Sequence, residues 1–377
     1  MLMFVRIKLI VTGLLVSFIL AFGSTGFALT IELTDTGGVE VGTNARSGFE
    51  EAAALWESVF VDPVTVRLDV GFQSLGSGIL GSTGSEKVGA FYSDIGNALN
   101  ADQTTVDDLT AVTNLQAGDF LDFLTTNEFG NSERDNDTGF GIGNENAVNN
   151  RSLDVNRANA KALGLLSDDG ATDGSITFSN SFSWDFDSND GISGGAFDFV
   201  GIAAHEIGHA LGFVSGVDTV DLTFGSGPFS GVNLDVFRVF SVLDLYRYSA
   251  ASTALGILDL SVGGNPYFSI DKGLTNLGAF STGRFNGDGR QASHWKDNRG
   301  LGIMDPTAGT GEFLQISGLD LRAFDVMGWD FSIGTAEIIP EPATLWLLGI
   351  GLAGLWGIYF RKRSKSPETR GNHSGIS

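Results

Sequence analysis

Residues 205–209 read His-Glu-Ile-Gly-His, and this pentad constrains the chain more than any other stretch. On an α-helix, positions four apart share a face, so the imidazoles of His205 and His209 can reach one metal ion. Glu206 stands beside them, placed to take a proton from a water that the ion activates. The surroundings suit a half-buried helix. Ala203, Ile207, Ala210 and Leu211 form an apolar stripe, with Phe199 and Val200 leading in, so one side can be buried while the histidines face a cleft. Gly208 costs such a helix about 1 kcal/mol relative to Ala, which implies a close packing partner. Gly212 fits the helix end. The alternative is a chance match on a core helix, but the chain has only four His and two fall here in register with a Glu. Spacing and ligand type suit Zn²⁺ and hydrolysis rather than a closed structural site.

A catalytic zinc ion usually takes three protein ligands plus water. The short extension HExxHxxGxxH matches at Gly212, but Ser215 stands where its last His would be, and a hydroxyl is a poor substitute. Asp218 is out of register, and residues 221–240 offer no Glu on an obvious helix. His373 lies beyond a C-terminal apolar run. That leaves His294, in Ser293-His294-Trp295-Lys296, as the third candidate; the alternative is a surface histidine beside Trp295.

Both ends read as targeting segments. Arg6 and Lys8 precede an apolar run at 9–22, and Gly26 and Ala28 are spaced like a cleavage site, which makes 1–28 a secretory signal peptide. At the other end, Pro340-Glu341-Pro342 is followed by an uncharged apolar run at 343–360 and then Arg361-Lys362-Arg363. The run is long enough to cross a bilayer, with its basic end cytoplasmic. Segment 340–363 resembles the PEP-CTERM sorting signal, followed by a short polar tail at 364–377. The resemblance implies transient membrane association, recognition by an exosortase-type enzyme, and export to the cell envelope, surface or exterior.

With no Cys, disulfides, thiolate metal sites and a cysteine nucleophile are excluded. An exported chain of this kind relies on packing or bound metal for stability. The formal charge is −23, and removing both ends, 1–28 and 340–377 (with their seven basic and two acidic residues), takes it to −28. That excludes nucleic acid as a partner, since a phosphate backbone needs a basic surface. It also suggests neutral or basic substrates, although a cleft need not share the total charge. Calcium is a further candidate ion because of the Asp-rich stretch at 185–191, which departs from the EF-hand pattern: Gly191 falls one place late and Ala196 occupies position twelve.

The expected elements are a helix at 49–60 capped by Ser47 with Glu50 in a capping box, and a strand at 64–72. Gly-rich turns follow at 73–84, then one or two helices in 103–125, around Asp107 and Phe120. A polar loop at 131–150, a helix at 153–166 and a strand at 175–184 complete the upstream half. After His294 come Gly302-Ile303-Met304-Asp305-Pro306 and a helix at 319–331 ending near Gly328.

HExxHxxGF, a long insertion, His-Trp-Lys, a Met turn with Pro and a final helix closing on a Gly-aromatic pair resemble the leishmanolysin-type metzincins. The match covers 197–213 and 291–332. Carried over by position, the resemblance implies that His205, His209 and His294 are zinc ligands, Glu206 is the general base, and Met304 is the Met-turn residue beneath the site. The protozoan members are disulfide-rich, whereas this chain has no cysteine and so no thiolate to hold a latent form. By fold-level analogy, the strand at 175–184 is the edge on which an extended substrate would lie. A tyrosine of the insertion, Tyr246 or Tyr248, is a candidate oxyanion donor or simply structural.

The expected fold is therefore α+β, a metzincin-like two-subdomain zinc protease. Residues 29–212 would carry a twisted sheet and the zinc helix. Residues 213–339, mostly helical or irregular, would carry the third ligand and Met turn. The expected function is a zinc endopeptidase acting on proteins or peptides. Two alternatives stay open: a matrix or adhesion protein that keeps the metal only structurally, and a zinc hydrolase of non-peptide substrates.

Overall fold

The computed structural model describes residues 28–76, 78–138 and 147–331. The signal peptide, the apolar C-terminal run and His373 lie outside the described residues. Among the described residues, no helix is long and apolar enough to cross a membrane.

The chain opens with β1 (Thr30–Asp35), α1 (Asn44–Glu57), β2 (Thr65–Gln73), β3 (Gly81–Ser85) and β4 (Lys87–Phe91), then α2 (Tyr92–Ala101) and α3 (Val106–Thr113). Next come β5 (Phe123–Thr126), β6 (Ser132–Asp135), the single turn α4 (Val148–Arg151), β7 (Ser152–Asn156), α5 (Arg157–Ala162) and β8 (Gly174–Ser179). The short strands β9 (Trp184–Asp185) and β10 (Phe197–Asp198) lead into α6 (Phe199–Leu211). Beyond it the elements are brief: α7 (Val217–Asp221), β11 (Arg247–Tyr248), α8 (Ala250–Leu255), β12 (Leu258–Asp259), β13 (Tyr267–Phe268) and β14 (Gly278–Ala279). A longer helix, α9 (Gly318–Val326), closes the described chain.

The main sheet has the order β1-β2-β8-β3. β1, β2 and β8 run parallel, and β3 runs antiparallel on β8 at the edge. Val66, Leu68 and Val70 of β2 and Ile176 and Phe178 of β8 are fully buried, as expected for the middle of a covered sheet. Helices α1 and α6 pack together over it. Gly48 of α1 permits this approach, since a Cβ there would sit 2.4 Å from the Phe199 ring. Phe49, Phe178 and Phe199 pack around that contact with ring centroids 4.9–5.2 Å apart. Trp56, at the far end of α1, donates its indole N–H to the Ala204 carbonyl at 2.9 Å.

The boundary expected at 212/213 does not divide the core. Trp56 packs on Phe324 and Phe60 on Trp329, so aromatic side chains from both halves form one buried cluster running from Leu29 to Trp329. β12 pairs with β5, giving a second sheet to which both halves contribute. Short elements dominate the downstream half, as expected of an irregular segment.

Several local expectations change. α1 begins at Asn44, because the Thr43 hydroxyl, not Ser47, accepts the capping N–H from Arg46. The stretch expected as a helix at 153–166 opens instead with β7, which pairs antiparallel with β4, and only then turns into α5. Around Phe120 there is no helix; β5 follows instead. The polar loop at 131–150 contains β6 and the start of α4. The strand expected at 175–184 as the sheet edge is interior as β8, flanked by β2 and β3. The edge is β3, whose Gly-Ser-Thr-Gly-Ser sequence lay partly in the stretch expected as turns. Such residues have little strand preference of their own, and here the five-residue register with β8 imposes the conformation.

Candidate metal centre

α6 is capped by Asp198, whose carboxylate accepts the Gly201 N–H at 2.8 Å. Its buried face holds Phe199, Ala203, Ala204, Ile207, Ala210 and Leu211, which includes the expected stripe. Gly208 has its close packing partner: a Cβ there would meet Met304 Sδ at 2.6 Å and the Trp56 ring at 3.3 Å. Met304, fully buried, thus lies directly under the turn that carries both histidines. At the helix end Gly212 adopts φ +130° and turns the chain so that the Phe213 carbonyl reaches back to His209.

His205, His209 and His294 are the one trio of metal-ligating side chains that converges among the described residues. His209 Nε2 lies 3.1 Å from His205 Nε2 and 3.1 Å from His294 Nε2. Each Nδ1 faces a backbone carbonyl: His205 that of Ile303 at 2.7 Å, His209 that of Phe213 at 2.7 Å, and His294 that of Gln291 at 3.2 Å. Those carbonyls can only accept, so each Nδ1 carries a proton and each Nε2 is turned toward the other rings. Burial, then the neighbouring His205, pushes His209 down to about 3. Burial and the other two imidazoles hold His294 well below the usual histidine range. Neutral His209 and His294 therefore present Nε2 lone pairs beside the Nε2 of His205, a set of nitrogens that one cation can share. A tetrahedral zinc ion with Zn–N of about 2.0–2.1 Å would need N···N edges of about 3.3–3.4 Å, and the two edges at His209 are within a few tenths of an ångström of that.

The three histidines are held in position from behind. Asp320, fully buried at the start of α9, gathers four N–H groups. Oδ2 accepts from Ile303 at 2.8 Å and Ser317 at 2.7 Å; Oδ1 accepts from the Trp295 indole at 2.7 Å and, more weakly, from Met304 at 3.4 Å. One carboxylate thereby holds the Met turn, the Ile303 carbonyl that orients His205, and the residue after His294. Asp218 acts on the other side of His294. It accepts the Ala292 N–H at 2.5 Å and the Ser293 N–H at 3.1 Å, together with the Ser293 hydroxyl. Arg247, 1% exposed, donates to the Ala292 and Ser281 carbonyls at 3.4 and 2.8 Å and lies over the Phe280 ring. Asp218, out of register as a ligand, is thus a support for the loop that supplies the third one. Ser215 serves the same loop: its N–H donates to Ser293 Oγ at 2.8 Å and its hydroxyl to Asp244 Oδ1 at 2.5 Å.

The trio lies in a cleft of about 730 Å³ that β3, α6, the segment after α6, the loop at 284–294 and the turn after Met304 line together. Glu206 faces this cleft, and Thr83 of β3 donates its hydroxyl to Glu206 Oε2 at 2.5 Å. Neither candidate tyrosine lines the cleft. Tyr246 is buried and donates to the Val326 carbonyl at 2.6 Å, and Tyr248 is 3% exposed, so both are structural. In the Asp-rich stretch the carboxylates bind backbone instead of converging. Asp185 accepts N–H groups of Asp187 and Ser193, and Asp187 that of Asn189; it is an exposed turn.

The supports Thr83, Asp218 and Asp320 were not expected from sequence. Only Asp320 had a local signal: Ser317 and Asp320 form a capping box before the last apolar run. The other two act through contacts 74 or more residues away in the chain.

Among known protein families, residues 339–363 match the PEP-CTERM protein-sorting motif. No curated protein and no solved structure matches the chain. The motif implies recognition by an exosortase-type enzyme, and the protein is exported, with its C-terminus processed for the cell envelope or surface.

Proposed function

We propose that this protein is a zinc-dependent endopeptidase of metzincin type, acting outside the cytoplasm. The observation that carries the reading is the convergence of three Nε2 atoms, with that of His209 3.1 Å from the other two and each ring held at Nδ1 by a backbone carbonyl, in an open cleft. His205, His209 and His294 would hold the ion, which when bound supplies Lewis-acid activation of water and of the scissile carbonyl. A closed structural site has no use for a carboxylate beside it, yet Glu206 stands in the cleft with its head held by Thr83. From there Glu206 accepts a proton from the attacking water and delivers it to the leaving amine nitrogen. β3 favours peptides over esters or glycans. Gly81, Ser82 and Thr83 line the cleft on the sheet's edge, where backbone N–H and C=O groups can pair with an extended chain.

The test is cleavage of an unfolded protein by the full chain beside Glu206→Ala, with zinc measured in both. Cleavage by the wild type alone, at one zinc per chain in each, is the expected result. Equal activity in the variant would sink the mechanism. Zinc in both without cleavage by either, on peptides, esters or glycans, would leave a structural site.

A further inference from the structure

The cleft does not share the charge of the chain. The described residues hold 15 Lys and Arg in a strongly acidic sequence, and three of them, Lys87, Arg284 and Arg290, line this one cleft. The acidic residues that line it are Glu206, Asp218 and Asp305. Asp218 is turned inward and spends its oxygens on Ala292 and Ser293, and burial pushes its carboxyl up to about 6. Asp305 is half-buried and takes both the N–H and the hydroxyl of Thr307. Lys87 shares Asp154 at 3.5 Å, and Arg290 uses Nε on Asp297 at 3.0 Å. Arg284 is exposed; it lies near the Phe285 ring and has no carboxylate partner among the described residues. A bound dication at the histidines would add further positive charge.

Arg284 and Arg290 are also held in place. They flank a tight hairpin closed by the Gly283–Arg290 bridge, with the Gly283 N–H on the Arg290 carbonyl at 2.9 Å. Buried Asp221 pins the hairpin tip by accepting from Phe285 and Asn286 N–H groups at 2.7 and 2.8 Å. The hairpin backbone thus holds two arginines at the rim, and a guanidinium can bind a carboxylate through two parallel N–H donors, Arg284 with no carboxylate partner among the described residues and Arg290 with its Nε already on Asp297. Low-dielectric walls focus that field within the cleft, whatever the sign of the outer surface.

We propose that the cleft selects acidic peptide segments, and that Arg284, seconded by Arg290, is the specificity determinant that receives an Asp or Glu side chain beside the scissile bond. This reverses the preference that the total charge suggested. It rests on the protease reading for the identity of the ligand as a peptide. Binding and cleavage are therefore measured separately. The zinc-loaded Glu206→Gln full chain is titrated with three fluorescent peptides of one apolar frame carrying Glu, Gln or Lys at the flanking positions, at low salt and in 0.5 M NaCl. The Glu peptide should bind at least tenfold tighter than the Lys peptide at low salt, and the gap should narrow in high salt. Arg284→Glu, with zinc content and circular dichroism unchanged, should reverse the order. Equal binding of the Glu and Lys peptides, or an unchanged order in Arg284→Glu, would overturn the proposal. Cleavage of the same peptides by the wild-type chain tests the other reading: charge-selective binding without cleavage would remove the protease and leave the selectivity standing.

Discussion

Replacing Asp320 by Asn changes one atom and tests whether a single buried carboxylate holds the metal centre together. The four N–H groups it accepts are divided two to each oxygen, and an amide retains only one acceptor. The less costly orientation keeps the oxygen on Ile303 and Ser317 and turns the NH₂ toward the Trp295 indole and Met304. The indole then loses a 2.7 Å bond inside the core, while Met304 loses one that is already long. An unsatisfied buried donor costs about 1–3 kcal/mol. Asn in turn carries no buried charge, and burial already pushes the Asp320 carboxyl up, which offsets part of the loss. The expected destabilisation is about 2–3 kcal/mol, read as a lower urea midpoint at unchanged slope. Asp320→Ala, which strands all four donors, should lose more. Because Ile303 also orients His205, zinc affinity should fall about 10- to 100-fold in either variant. An Asp320→Asn protein within about 0.5 kcal/mol of the wild type and with unaltered zinc affinity would refute the reasoning.

Four further outcomes follow from the geometry. Gly208→Ala gains about 1 kcal/mol of helix propensity but drives a methyl toward Met304 Sδ, and overpacking costs about 1–3 kcal/mol; calorimetry should find it neutral to destabilised, and a clear gain would contradict the contact. Thr83→Val removes the hydroxyl that orients Glu206 and should lower kcat about 10- to 100-fold with zinc retained, whereas Thr83→Ser should restore most of it; equal kcat in all three would remove Thr83 from the site. Burial, with neighbouring carboxylates, pushes Asp62 and Asp325 up to about 8 and Asp102 to about 7. These groups ionise near 3.8 when unfolded, so the stability they confer is complete below that pH and lost as pH rises to about 8; Tm should fall from pH 5 to 8.5, less so in Asp62→Asn/Asp325→Asn, and identical slopes would count against the shifts. Chelation should abolish cleavage and zinc should restore it; activity that survives verified zinc removal would end the zinc-dependent reading.

The histidine cluster was more legible in the sequence than the fold that assembles it. HExxH carries its own geometry, so α6 and the pairing of His205 with His209 follow from spacing alone. His294 was reachable because the chain has so few histidines, and the structure brings its Nε2 to 3.1 Å from that of His209. The final helix carried ordinary local signals, with apolar positions behind Ser317. β3 did not: its Gly, Ser and Thr residues gain strand form only from β8. Residues 152–156 looked helical because their apolar spacing fits either period, and pairing with β4 decides the matter. Asp218 and Arg284 were invisible in function because nothing near them in sequence says which backbone or cleft they will meet.

The histidine trio has a consequence for the mechanics of the whole chain. His209 and His294 are 85 residues apart, and an ion bound to both would tie them into a closed loop. For a loop of that size, chain-entropy arguments value such a tether at about 4.6 kcal/mol, comparable to a long-range disulfide. In a protein without cysteine, such an ion would add a tether to the strand pairing and core contacts that already hold the irregular segment between them. Under the proposed zinc-bound reading, removing the ion should loosen residues 213–293 and raise their susceptibility to added protease, a change that limited proteolysis with and without chelator measures.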